Sequence, residues 1–266
     1  TYHTDPTIDD VLTIIKNYDA IYTNPNKSKV FIGKELMDAG KKLKTICTAS
    51  TGTNHIDKEY ASGKGIKVIS LTEERDVINR ISSTDEHAFA LTMASMRNIV
   101  TGYDDVLKGQ WNYEKFIGRQ MDGLKIGVIG YGRLGKLYGE YCLAFKSKVL
   151  VFDPYKEVQN KEIIKIEDIN ILLEEADVIS LHVHVNDETL NMVNQSWFSK
   201  MKSEILIVNT SRGEIINESD LVTFLSKNKK SKITTDVLSD EIKNRNKNIL
   251  LKYAFENDQV LITPHI

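Results

Sequence analysis

The stretch Lys125-Ile126-Gly127-Val128-Ile129-Gly130-Tyr131-Gly132-Arg133-Leu134-Gly135 decides how this chain folds. It opens on an apolar run, Ile126 to Ile129, suited to a buried strand, and ends in a turn with glycines at 130, 132 and 135. A helical pattern follows from Arg133 to Phe145, then a second apolar run, Lys148 to Phe152, that closes on Asp153. Strand, glycine turn, helix, strand and acid, in that order, are the dinucleotide-binding βαβ unit. Gly130 allows the tight turn, Gly132 lets the backbone approach a pyrophosphate, and Gly135 lets the helix pack close to the sheet. The helix N-terminus offers N–H groups and a positive dipole end to the phosphates. Asp153 stands 18 residues beyond Gly135, where a carboxylate accepts from an adenosine ribose diol and repels a 2′-phosphate. The cofactor read from these residues is therefore NAD rather than NADP. A glycine turn alone is a weak signal; its place between strand and helix makes this one specific.

Outward from that unit, further strands are expected at Val178–His182, Ile205–Val208, Ile233–Asp236 and Val260–Ile262. With Ile126–Ile129 and Val149–Phe152 they make six. Helices are expected at Arg133–Phe145, Glu167–Glu174, Gln195–Lys200 and Glu218–Ser226. Residues 83–266 thus read as an α/β, doubly wound parallel sheet of Rossmann type. Residues 1–82 read as a second, smaller flavodoxin-like α/β domain. There Ile8, Val11, Leu12 and Ile15 recur at helical spacing, and Asp19–Thr23, Leu43–Ala49 and Ile66–Leu71 suit strands. The turn Ser50–Asn54 leads into a short helix, Asp57–Ser62. One long helix is expected from Thr84 or Asp85 to Leu107, striped by Ala88, Leu91, Met93, Ala94 and Ile99. It suits a link between domains, a contact with a partner subunit, or a plain core-facing helix. The Lys-rich stretch Lys227–Lys232 reads as a solvated loop.

Composition narrows the function classes. At 266 residues, 41% hydrophobic and 27% charged, the chain can bury real cores. A net charge of −2 without a basic patch speaks against nucleic acid or an anionic membrane as partner. No apolar stretch approaches a membrane span. Cys47 and Cys142 stand outside any CxxC motif and read as reduced thiols of a cytoplasmic protein.

Ligands of open α/β sheets bind beyond the carboxyl ends of the strands. Three such ends carry unusual polar residues. Ile205–Val208 leads into Asn209-Thr210-Ser211-Arg212-Gly213, Ile233–Asp236 is followed by Glu241, and Val260–Pro264 ends in His265. The set suits hydride transfer to a 2-keto acid. His265 can protonate the carbonyl oxygen or take the hydroxyl proton. Glu241 favours the imidazolium and orients the ring, and Arg212 offers a planar fork to a carboxylate. Singly, each reads as well as a surface ion pair, a loop charge or a strand-end histidine. Together, behind a dinucleotide fingerprint, they point to a site.

The motifs Ser50-Thr-Gly-Thr-Asn-His-Ile-Asp57, Ser83-Thr-Asp-Glu-His87, Gly130–Gly135, Asp153-Pro154, Asn209–Gly213, Asp236 with Glu241, and Thr263-Pro-His265 cover nearly the whole chain. In them the chain resembles the D-isomer-specific 2-hydroxyacid dehydrogenases, in particular the D-3-phosphoglycerate dehydrogenase-like branch. The resemblance implies catalytic roles for Arg212, Glu241 and His265. It places Arg133 and Leu134 on the pyrophosphate, Asp236 on the nicotinamide carboxamide, and Thr210 and Ser211 beside the cofactor; His182, at the functional end of its own strand, is expected to bind the cofactor as well. It makes Thr51-Gly52-Thr53 a backbone nest for the substrate carboxylate. It implies a small-molecule 2-hydroxy or 2-keto acid substrate, 3-phosphoglycerate or a related acid among the options, a homodimer, and a cleft that closes between two domains. The alternative it carries is an NAD-sensing regulatory protein of corepressor type on the same fold.

Departures are visible. His184 stands where the family usually has Pro, and Thr72–Arg80 replaces a short Pro/Gly-rich link. His182 and His184, two apart, suit a metal pair, but no third ligand follows, so no metal is expected. Lys58, Arg75 and Arg80 are candidates for a substrate phosphate by position alone. The family's helix after the catalytic His, and often an earlier N-terminal strand, are not in this sequence. The smaller domain is therefore expected to be incomplete at its N-terminus and to lack its C-terminal return helix.

Overall fold

Thr7 begins the regular structure. Its hydroxyl accepts from the Asp10 N–H while the Asp10 carboxylate accepts from the Thr7 N–H, a reciprocal cap that starts α1 (Ile8–Ile14). The computed structural model describes residues 3–24, 30–53 and 55–266; Asn54 of the expected turn lies outside them. Two units are distinct, one running to Ile81 and the other Ser82–Ile266. After α1, the first contains β1 (Ala20–Thr23), α2 (Lys34–Ala39), β2 (Thr45–Thr48), α3 (Lys58–Gly63), β3 (Lys67–Ile69) and α4 (Arg75–Ile78). The three strands are parallel in the order β1-β2-β3. Ile15, Leu36, Met37, Ile46, Ile56 and Ala61 form its core. Asp57 caps α3 by accepting from the Tyr60 N–H.

The second unit runs α5 (Ser83–Met96), α6 (Ile99–Leu107), β4 (Lys125–Ile129), α7 (Arg133–Ala144), β5 (Lys148–Phe152), β6 (Ile163–Lys165), α8 (Ile169–Glu175) and β7 (Val178–Leu181). It continues through α9 (Gln195–Phe198), β8 (Leu206–Asn209), α10 (Glu218–Lys227), β9 (Lys232–Thr235), α11 (Glu241–Asn244), α12 (Ile249–Ala254) and β10 (Val260–Ile262). All seven strands are parallel, in the order β10-β9-β8-β7-β4-β5-β6. Alternate residues face opposite layers. Ile126, Val128, Val149, Val151 and Val208 pack in one cluster with Ala88 of α5 and Tyr138 of α7. Ile129, Leu150, Ile179 and Ile207 pack in the other with Leu172, Phe198, Leu221 and Leu250. Both faces are buried, so the strands read as continuous apolar runs. The strand order reverses between β4 and β7, which makes their carboxyl ends the switch point where ligands bind.

Three expectations need correction. The long helix is two helices. Asn98 takes a left-handed conformation, φ 53°, and the Lys232 ammonium donates to the Ser95 carbonyl and the Asn98 side chain at the break. Lys232 is thus no part of a solvated loop: it opens β9, and burial pulls its pKa down. The sheet has a seventh strand, β6, three residues long at its edge.

Asp85, in the first turn of α5, is wholly buried, and neither carboxyl oxygen has a hydrogen-bond partner. Burial pushes its pKa from 3.8 up to about 8; Arg133 opposes the shift and Glu86 adds to it. The folded state therefore keeps a proton that the unfolded state releases. Its contribution to stability is full at low pH and is lost as pH rises from about 4 to about 8, a swing on the order of 5 kcal/mol. Asp85→Asn is expected to flatten this dependence. Urea unfolding across that range measures it, and parallel curves for the two proteins would refute the buried, neutral acid.

Candidate active site

The glycine turn sits at the switch point. Gly130 has φ +89°, and a Cβ there would lie 2.6 Å from the His182 carbonyl oxygen, so β4 and the end of β7 touch through bare backbone. A Cβ on Gly135 would lie 2.0 Å from the Gly130 carbonyl oxygen, which seats α7 directly on the turn. At Gly132 a Cβ would meet nothing within 4 Å. Tight behind and open in front, the turn leaves room for a pyrophosphate at the start of α7, where Arg133 and Leu134 stand. Asp153 follows the last residue of β5. Its carboxylate accepts from the Tyr131 N–H at 2.7 Å and the Tyr155 N–H at 2.9 Å, tying the glycine turn to the end of β5.

The loops after β8, β9 and β10 bring Arg212, Glu241 and His265 together. Asn209 shapes the first: its side chain accepts from the Ser211 N–H and donates to the Arg212 carbonyl. Ser211 in turn donates to the Leu181 carbonyl at 2.6 Å. Thr210 is buried beside them. Glu241 follows Asp240, a left-handed residue with φ 51°. One Glu241 oxygen accepts from the Leu238 N–H at 3.1 Å, and the other bonds His265 Nδ1 at 2.5 Å. That bond, with the Glu241 charge behind it, holds the imidazole above its ordinary pKa, although burial and the Arg212 guanidinium pull the other way. Burial pushes the Glu241 carboxyl up, but His265, the Leu238 N–H and Arg212 outweigh it and keep it below the usual carboxylate range.

His265 is itself left-handed, φ 57°. Asp236 holds the backbone around it: one carboxylate oxygen accepts from the Thr263 hydroxyl at 2.5 Å and from the Ile266 N–H at 3.1 Å. His87 of α5 reaches the same point, with Nε2 2.9 Å from the Thr263 hydroxyl and 3.4 Å from Asp236. His87, Thr263 and Asn209 lie inside the quoted motifs, yet no charge pattern marked them as supports. His182 is turned inward. Its Nε2 lies 2.8 Å from the Ser180 hydroxyl, its ring packs on Tyr138, and burial pulls its pKa down to about 3. His184 is exposed. Among the described residues no group of His, Cys, Asp and Glu is arranged to hold a metal ion.

In the smaller unit, the turn after β2 commits its acceptors to the protein. The Thr51 carbonyl accepts from the Thr72 hydroxyl, the Gly52 carbonyl from the Ser50 hydroxyl, and the Thr53 carbonyl from the Ile56 N–H. Thr72 belongs to the segment that departs from the usual link.

Residues 89–266 match the family model described as D-isomer specific 2-hydroxyacid dehydrogenase, NAD binding domain, and residues 1–105 match its catalytic domain. The chain belongs to this family. It is similar to the D-3-phosphoglycerate dehydrogenase of Archaeoglobus fulgidus, 33% identical over 260 residues that cover 97% of this chain and 47% of that protein. It is 30% identical to the hydroxypyruvate reductase of Thermotoga maritima, over 97% of this chain and 80% of the relative. The chain spans about half the length of the curated phosphoglycerate dehydrogenases it matches. Among solved structures it is similar to the D-lactate dehydrogenase of Aquifex aeolicus complexed with NAD and lactic acid, with a TM-score of 0.80, 32% identity, and coverage of 96% of this chain and 78% of that one.

A histidine whose folded pKa is raised stabilises the fold fully below its unfolded value near 6.5, and that contribution is lost as pH rises through the folded pKa. Glu241→Gln removes the charge but keeps a hydrogen-bonding group. It is expected to lower the His265 pKa, read by NMR titration of the ring, because the bond and charge that favour the imidazolium are weakened. An unmoved titration would break the pairing.

Proposed function

We propose that this chain carries the catalytic machinery of an NAD-dependent dehydrogenase acting on a D-2-hydroxy acid and its 2-keto acid. The observation that carries the reading is the 2.5 Å bond between His265 and Glu241, with Arg212 close enough to act on both charges. We assign residues 1–82 to the substrate and residues 83–266 to the cofactor. Bound NAD supplies or accepts the hydride. The turn at Gly130, Gly132, Arg133, Leu134 and Gly135 holds its pyrophosphate, Asp153 its ribose and Asp236 its carboxamide, flanked by Thr210, Ser211 and His182.

The protein's own groups handle the proton and the substrate charge. His265, held by Glu241 through Nδ1, gives its Nε2 proton to the keto oxygen in reduction and takes the hydroxyl proton in oxidation. Arg212 clamps the carboxylate with its fork and steadies the charge growing on the reacting oxygen. We assign the nest at Thr51, Gly52 and Thr53 to the substrate carboxylate, which suits a turn whose carbonyls are already engaged. Three-carbon acids are the substrates to try first, given the phosphoglycerate, hydroxypyruvate and lactate enzymes among its relatives.

The test is loss of NADH absorbance with pyruvate, hydroxypyruvate and 3-phosphohydroxypyruvate. Turnover is expected on at least one, with kcat/KM falling as pH rises through the raised His265 pKa. Arg212→Lys keeps the charge but loses the fork. It should cost on the order of 100-fold in kcat/KM while NADH affinity stays within about twofold. NADH binding without turnover on any acid would favour the NAD-sensing regulator instead.

The partner we assign is a second copy. Helix α6 has no buried residue, and Tyr103, Val106 and Leu107 lie exposed on it, followed by Trp111, 89% exposed, and Ile117. An apolar face of this kind suits a homodimer. The compartment we assign is the cytoplasm, where the two free thiols, Cys47 and Cys142, stay reduced. Among the described residues no helix is long and apolar enough to cross a membrane. Sedimentation should show a dimer that Leu107→Asp dissociates; a monomeric native protein would overturn the assignment.

A further inference from the structure

One buried carboxylate outside the triad binds two of its loops together. Glu218 is the first residue of α10 and is buried. One oxygen accepts from the Ser239 N–H at 2.8 Å and the other from the Asn248 side-chain amide at 2.5 Å. Asn248 also donates to the Ser239 carbonyl at 3.2 Å, and its own oxygen accepts from the Leu251 N–H at the start of α12. Both ends of the segment between Ser239 and Asn248 are therefore tied at one point. Glu241 lies inside that segment, two residues after the tie.

The same peptide faces the Arg212 loop. A Cβ on Gly213 would lie 2.0 Å from the Leu238 carbonyl carbon and 2.2 Å from the Ser239 nitrogen, so the residue after Arg212 rests on the Leu238–Ser239 peptide. The Leu238 N–H donates to Glu241. Between tie and carboxylate stands Asp240 in its left-handed conformation, a geometry that persists only where its surroundings over-determine it.

We propose that Glu218 is a positioning residue: its carboxylate fixes the Leu238–Ser239 peptide and thereby sets the placement of Glu241 against His265 and Arg212. The inference rests on the catalytic reading of those three residues. A neutral amide cannot do the same work. Both Glu218 oxygens face N–H donors, and the NH2 of a glutamine would confront one of them. The charged groups that bear on this arrangement are Glu214 beside Glu218, and Glu241, Arg212 and Asp236 around His265.

The experiment is a double-mutant cycle read by the pH profile of reductive kcat/KM, with hydroxypyruvate as probe. Glu218→Gln should lower kcat/KM about tenfold and move the alkaline limb down by about half a pH unit or more. NADH affinity, measured by direct binding, should stay within about twofold. In a Glu241→Gln background, the same substitution should move the limb no further, because its effect passes through Glu241. Asn248→Ser keeps the cap on α12 but removes the amide donor, and should shift the limb in the same direction even if Glu218→Gln does not fold. The proposal falls if Glu218→Gln and Asn248→Ser lower stability but leave the limb in place, or if the shift persists undiminished without Glu241. If Glu241→Gln alone leaves the limb unmoved, the catalytic pair itself is wrong, and the proposal falls with it.

Discussion

Every strand of the larger sheet runs the same way, and the rest of the unit depends on that constraint. Parallel neighbours cannot be joined by a tight turn, so each needs a crossover, and the crossovers cover both faces. All carboxyl ends then lie along one rim, where backbone groups at the strand ends need new partners. They find them sideways. The Gly130 N–H donates to the Phe152 carbonyl, the His182 N–H to Ile129, the Asp236 N–H to Asn209 and the Thr263 N–H to Thr235. The loop after each of these strands is thus held by the end of its neighbour. Glu241 and His265 ride on loops already laced into the sheet in this way.

Along that rim the two kinds of chemistry separate. The glycine turn lies at the end of β4, and Arg212, Glu241 and His265 follow β8, β9 and β10. The first offers open backbone and a helix N-terminus, which suit a diphosphate. The second gathers an arginine, a histidine and two carboxylates in partial burial, where each charge acts strongly on the others. The opposed shifts of Glu241 and His265 are one fact seen from two sides: the ionised pair is favoured over the neutral one.

Much of this frame is legible in the residues. Long apolar runs with β-branched residues, such as Lys148–Phe152, announce buried strands, and the glycine spacing announces the turn between them. The strand β6 is not legible, because its three residues, Ile163 to Lys165, follow the charged Glu162, end in a lysine and leave Ile164 half exposed, and so carry no period. The break between α5 and α6 is hidden for a different reason. Asn98 interrupts no hydrophobic pattern, and the group that seals the break, Lys232, comes from a strand far along the chain. The short helices α2, α11 and α12 fall below the length at which periodicity can be read. At the site, the residue types and their order are visible, but the supports are not. That Asp153 holds the Tyr131 amide, or that Glu218 ties Ser239 to Asn248, depends on backbone directions that only the folded chain defines.

The strand order also sets the entropy of assembling each part. β7, β8, β9 and β10 are consecutive both in the chain and in the sheet. The bond from Thr235 to Asn209 closes a loop of 26 residues, and that from His265 to Glu241 one of 24. The glycine turn needs β4 beside β7, where the bond from Lys125 to Asp177 spans 52. Loop closure costs grow only as the logarithm of length, so the difference is under about 1 kcal/mol. Its direction is nonetheless clear: the cluster of Glu241 and His265 is built from near neighbours, and the glycine turn waits on the longer-range pairing.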